Sequence, residues 1–204
     1  MRTSDQIQAE IEEWFGFFPP FFEPAEHNPL VLENLWQQTV VGYIDNPLSL
    51  LFKEKLSAYL SRYCNVPYCL ICHSCSLHSL GMKGPELLHL LESPPPLYSE
   101  IEFDLSALKA HSQELDVLSN LNSALEEKLL RCAIFIYTEQ EQAEHCRNQL
   151  RHILKAENYQ HLVTFISFIR TCHVWMEAYP EVSYKADKRS HDHLAALLEE
   201  EPVL

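Results

Sequence analysis

Three residue types that act together in thiol chemistry occur within twenty positions of this sequence: Glu54, Cys69 and His73, with further thiols at Cys64, Cys72 and Cys75. A thiol attacks as its anion. It is activated when a neighbouring base takes its proton, and a carboxylate behind that base orients the ring and passes protons on. Successive helical residues are rotated by about 100°, so Cys69 and His73, four apart, share one helix face, and Cys72 is the next neighbour of Cys69 on that surface. Pro67 places Cys69 in the first turn of its helix, where the unpaired amides favour a thiolate.

The elements that carry these residues follow from their punctuation. Only four glycines occur in 204 residues, and apolar residues recur at three- and four-residue spacings, so the chain is expected to be all-α. A first helix is expected over 4–15, capped by Ser4 and stopped by Gly16. The FGFFPPFFEP stretch that follows cannot continue it and is expected to plug a groove between helices. Asn28-Pro29, Asn46-Pro47 and Pro67 each read as a helix start, and Gly81 as a stop. Glu54 and the cysteine cluster therefore fall on consecutive helices joined by a short turn. A brief helix ELLHLLE follows Gly84-Pro85. SPPPLYSEIEFD reads as a loop, and three further helices and a more polar last one, roughly 186–200, complete the chain. The expected architecture is one helical domain over 1–204, an orthogonal or bundle-like packing of about eight or nine helices. It has a motif-bearing half over 1–92, a linker over 93–104 and a second half over 105–204.

The stretch from Glu54 through YCNVPYCLICHSCSLHSLG resembles the signature of the alkylhydroperoxidase D-like (carboxymuconolactone decarboxylase) superfamily. That signature has a glutamate, a Cys-x-x-Cys beginning twelve residues later, and a histidine four beyond the second cysteine. Glu54, Cys69 and His73 match in spacing, Tyr68-Cys69 is a pair typical of many members, and Gly81 matches the closing glycine. The first motif cysteine falls on Val66. The resemblance spans about thirty residues and implies a thiol-dependent peroxidase, with Cys69 attacking a hydroperoxide and His73 and Glu54 in its proton relay. With Val66 unable to form a disulfide, Cys72 or Cys64 is the expected resolving thiol, Cys72 first on its same-face spacing. The resemblance also implies a small hydroperoxide substrate, a dithiol reductant and a homo-oligomer. Two other readings accompany it: a non-catalytic redox-sensing or partner-binding module of the same fold, and a cysteine-independent lyase like the decarboxylase branch.

Composition narrows the partners. The net charge of −14 is spread along the chain with no basic stripe, which argues against nucleic acid and against an anionic membrane surface. The acidic, amphipathic start lacks the features of a secretory signal, and no apolar run is long enough to span a bilayer, so a cytoplasmic protein with free thiols is expected. Cys64, Cys69 and Cys72 have the spacing that opens some iron–sulfur ligand sets, but Leu70, Ile71 and Leu77 favour a helix, around which thiols fan outward. No metal and no cofactor is therefore expected. Outside the cluster, Cys172-His173 is expected to be an ordinary packed pair, the alternative being that it faces the same cavity, and His78 and His89 to lie on helix surfaces.

Overall fold

A computed structural model describes residues 2–139 and 141–190. Among the described residues there are nine α-helices and no strand. They are α1 (Ser4–Phe15), α2 (Pro29–Thr39), α3 (Leu50–Tyr63), α4 (Pro67–Ser79), α5 (Gly84–Glu92), α6 (Tyr98–Ala110), α7 (Ser123–Thr138), α8 (Ala143–Ile153) and α9 (Lys155–Ala178).

α3 is the central element. Nine of its residues, from Phe52 to Ser61, are buried, which a helix of mixed composition achieves only when neighbours cover it all round. It packs most extensively on α4, and also on α7 and α9. Two apolar clusters share this helix pair. The larger gathers Phe52, Leu56 and Leu60 of α3 with α6, α7, α8 and α9. The smaller gathers α1, α2 and the phenylalanine-rich turn against Val66, Tyr68, Cys69 and Cys72. The candidate site lies on the flank of α3 and α4 that faces this second cluster.

The helix starts show which local signals governed. Thr3, not Ser4, caps α1, its hydroxyl accepting from the Gln6 amide, and Gly16 closes the helix in the left-handed conformation at φ 76°. Asn28-Pro29 opens α2 as the sequence implies. Asn46-Pro47 does not open α3. Asn46 is buried, its side chain donating to the His161 carbonyl at 2.9 Å and accepting from Leu48 N–H, and Ser49 provides the cap that starts the helix. Residues 98–104 also depart from the expected linker. Pro94, Pro95 and Pro96 end α5, but α6 begins at Tyr98 and buries Ile101 and Asp104 against the second half, Arg131 pairing with Asp104 at 2.8 Å. Phe21 and Phe22 of the Pro20–Ala25 turn are buried, each contributing roughly 2 kcal/mol through the apolar surface withdrawn from water. Of the expected last helix, residues 191–200 lie outside the described residues.

Candidate functional site

The turn between α3 and α4 is short, so the two helices pack side by side and residues two to three turns from the connection can face each other across a shared groove. Cys64 closes α3, Asn65 takes a left-handed φ of 57°, and Val66 leads into Pro67, the first residue of α4. Glu54 on α3 thereby meets His73 on α4: His73 Nδ1 lies 2.9 Å from Glu54 Oε2. Glu54 is only 1% exposed, and an isolated carboxylate there would be costly. A second donor completes its environment, the hydroxyl of Tyr43, which bonds the other carboxylate oxygen.

Tyr43 comes from an unusual segment. α2 runs directly into a π-helical turn, Val40–Ile44, which rotates Tyr43 toward α3. Gly42 in this turn lies so close to Phe168 of α9 that a Cβ would come within 2.7 Å of the Phe168 Cβ. The buried Lys53 ammonium anchors the end of the turn, donating to the carbonyls of Tyr43 and Asn46.

The electrostatics define the protonation states. Burial pushes the Glu54 carboxyl up, but the charge of His73 and the hydrogen bonds from His73 and Tyr43 outweigh it and hold the carboxyl below its ordinary value. Burial, reinforced by the Glu54 charge, pushes Tyr43 well above the usual phenol range, so it remains a donor. With Glu54 ionised, His73 Nδ1 carries the hydrogen. In the neutral ring Nε2 is then the basic nitrogen.

A narrow cavity of about 80 Å³ opens beside this pair. Its walls include Glu54, His73 and Tyr43, the thiols of Cys69, Cys72 and Cys172, the aromatic side chains Phe15, Phe21, Phe22 and Phe168, and Arg189. A wider mouth of about 460 Å³ shares Tyr43, Glu54, Ser76 and Arg189 with it. Cys69, His73 and Glu54 thus border one space, as their spacing implies. The expected lowering of the Cys69 thiol is not found. Cys69 is 5% exposed, and burial, with the neighbouring Cys72 thiol adding to it, pushes it up to about 12 despite its place in the first turn of α4. Burial likewise raises Cys72 to about 12, with Arg189 opposing; its sulfur lies 3.6 Å from the Ser190 hydroxyl.

Cys64 is not brought into the cavity. Its thiol donates to the Tyr137 hydroxyl at 3.5 Å, on the side of α3 where a separate chain of hydrogen bonds runs. Tyr137 lies 2.9 Å from His173 Nδ1, His173 Nε2 lies 2.9 Å from Ser61 Oγ, and Ser61 donates to the Ser57 carbonyl. Because Ser61 spends its hydrogen on that carbonyl, His173 must donate from Nε2 and accept at Nδ1. Burial, with the nearby His73 charge, lowers His173 to about 4. It is a neutral core histidine, and its neighbour Cys172, expected to pack in the same way, lines the cavity instead.

Two cavity groups carry no signal in the sequence around the motif. Tyr43 depends on the π turn. Arg189 depends on the segment after the 3-10 turn Tyr184–Ala186, where the fully buried Asp187 receives Arg189 Nε at 2.9 Å and Nη2 at 2.7 Å and the Tyr68 hydroxyl at 2.6 Å. The Arg189 guanidinium lies over Phe15 and Phe17 at 5.5 and 5.8 Å from the ring centres.

No family model, curated protein or solved structure matches this chain. The function must be read from the site itself. Among the described residues no cluster of His, Cys, Asp and Glu is arranged to hold a metal ion, and no helix is long and apolar enough to cross a membrane. All seven cysteines are free thiols.

Proposed function

We propose that the chain is a thiol-dependent peroxidase of the alkylhydroperoxidase D-like type, with Cys69 as the attacking thiol and the Glu54–His73 pair as its acid–base partner. One observation carries this reading: a buried carboxylate hydrogen-bonded to a half-buried imidazole, and three cysteines, border the same small cavity. The chemistry balances as Cys69–SH + ROOH giving Cys69–SOH + ROH. His73 Nε2 takes the thiol proton, directly or through one water, and returns it to the departing alkoxide oxygen as the O–O bond breaks. Glu54 holds the ring in the required tautomer and stabilises its protonated form, and the Arg189 cation favours the thiolate. A second cysteine thiol then condenses with the sulfenic acid to a disulfide and water, which a dithiol reductant reopens. The small hydroperoxide, the reductant and a homo-oligomeric assembly belong to the same proposal.

The test is single-turnover oxidation of the reduced protein by a small organic hydroperoxide, followed by mass spectrometry of each cysteine. Loss of the Cys69 thiol with stoichiometric alcohol release supports the reading. An unreacted Cys69 rejects it.

The raised Cys69 thiol disfavours rapid turnover, and the second reading is a redox-responsive module oxidised once per chain rather than a turnover enzyme. With a pKa of about 12, roughly one molecule in 10⁵ is a thiolate at pH 7, so oxidation is slow unless the substrate itself recruits the base. One oxidation per chain without sustained turnover in the presence of a dithiol would select that module.

A further inference from the structure

Resting on the thiol-redox reading above, we propose that Cys172 of α9, rather than Cys72 or Cys64, is the disulfide partner of Cys69, so that oxidation staples α4 to α9 across the cavity. The geometry comes from the register of the two helices. Cys172 and Cys69 border the same cavity of about 80 Å³. One helical turn further along each helix, in opposite chain directions, Met176 and Val66 border the next depression, with Tyr68 contributing to both. The row Cys172–Met176 therefore runs antiparallel to the row Cys69–Val66, which sets Cys172 against Cys69. All four belong to, or pack against, one apolar cluster.

Burial raises Cys172 with the Cys69 thiol adding to it, and Cys72 acts on Cys69 in the same way, so both thiols are close to Cys69 and the choice between them rests on the helix register. The alternatives are engaged elsewhere. Cys64 donates to Tyr137 outside the cavity, and the Cys72 sulfur sits against Ser190. The position that holds the first cysteine in the resembling motif is filled by Val66, which packs toward α9. A thiol on the opposite helix, one turn away, restores a dithiol at the same cavity. The step is Cys69–SOH + Cys172–SH giving the disulfide and water, the two-electron oxidant being the hydroperoxide that formed the sulfenic acid.

The experiment uses the full-length reduced protein and its Cys72→Ser and Cys172→Ser variants. Each is treated separately with a small organic hydroperoxide and with diamide, which removes two electrons and two protons from any adjacent thiol pair, and then mapped as non-reduced peptides. The expected product of both oxidants is a Cys69–Cys172 bridge in the parent and in Cys72→Ser. In Cys172→Ser the bridge is lost, and a dimedone-trappable sulfenic acid accumulates at Cys69 at least tenfold above the parent. A Cys69–Cys72 or Cys64–Cys69 bridge as the main product, or diamide leaving Cys172 free, overturns the proposal. Formation of the Cys69–Cys172 bridge by diamide but not by hydroperoxide upholds the pairing and rejects the peroxidase reading alone.

Discussion

The Glu54 carboxylate is held between two donors on different helical segments, His73 Nδ1 at 2.9 Å and the Tyr43 hydroxyl, with almost no access to water. Removing its charge tests both of its roles. Glu54→Gln keeps the shape but turns one accepting oxygen into a donor that faces a donor. Peroxide oxidation of Cys69 is expected to slow on the order of 10²-fold, the usual contribution of a positioned acid–base group. Circular dichroism should show an unchanged helical fold, with stability lower by about 1–3 kcal/mol for the unsatisfied partner. An unchanged oxidation rate in a folded variant would separate Glu54 from the chemistry.

Accessible thiols should react in an order opposite to the one the helix start suggests. Cys69 is buried and raised to about 12, whereas Cys64 is half-buried at the end of α3. In the native protein at pH 7.5, iodoacetamide is expected to label Cys64 before Cys69. Labelling of Cys69 should accelerate as pH rises toward 12, because its folded pKa lies above the working range and only alkali generates the thiolate. Timed alkylation with peptide mapping measures this, and Cys69 reacting first at pH 7.5 would contradict the burial argument.

His173 supplies a pH dependence of stability with a definite sign. Its folded pKa of about 4 lies below the ordinary 6.5, so between these values the unfolded chain binds the proton and the folded chain does not. The contribution is fully present above about 6.5 and is lost as pH falls toward 4. Between pH 7.5 and 5.0 the parent is expected to lose on the order of 2 kcal/mol through this group. His173→Asn should start less stable, having lost a member of the Ser61–Tyr137 chain, but lack this increment. Urea unfolding at both pH values gives the two differences, and equal differences in parent and variant would show that His173 is not neutral in the fold.

Gly42 sets packing against propensity. In an open helix, replacing glycine by alanine stabilises by about 1 kcal/mol. Here the added Cβ would meet the Phe168 Cβ at 2.7 Å, close to the α9 backbone, which cannot swing away. Gly42→Ala is therefore expected to destabilise by about 1–3 kcal/mol and to displace Tyr43 and Phe168 from the cavity wall. A thermal midpoint that rises instead would show that the π turn is free to relax.

The legible and illegible parts of the structure divide along physical lines. Glu54, Cys69 and His73 could be brought together from spacing, because each lies within about three turns of one short, proline-marked connection. The helix pair α3–α4 is fixed by such local signals: Pro67 at the start, Gly81 at φ 94° at the end. Asn46-Pro47 misleads because the Asn46 side chain is committed to a carbonyl of α9, a tertiary contact that no local pattern encodes. Residues 98–104 read as a loop because three prolines precede them. Proline stops the helix before it, yet Glu100 accepts the Leu97 amide at 2.7 Å and starts another. Tyr43, Cys172 and Arg189 reach the cavity from segments 11, 118 and 135 residues away from Glu54 in sequence, and only packing assembles them. The Cys69 thiol shows the same limit in energetic form. The helix start was visible, but the burial that overrides it was not.

The most direct test of the central claim is the rate at which hydroperoxide removes the Cys69 thiol in the parent, in His73→Asn and in Glu54→Gln, followed by quench-flow and peptide mass spectrometry. The account predicts that Cys69 is the first cysteine oxidised in the parent. It also predicts that both variants fall by on the order of 10²-fold or more while remaining folded. Oxidation of another cysteine ahead of Cys69, or equal rates in all three proteins, would contradict it.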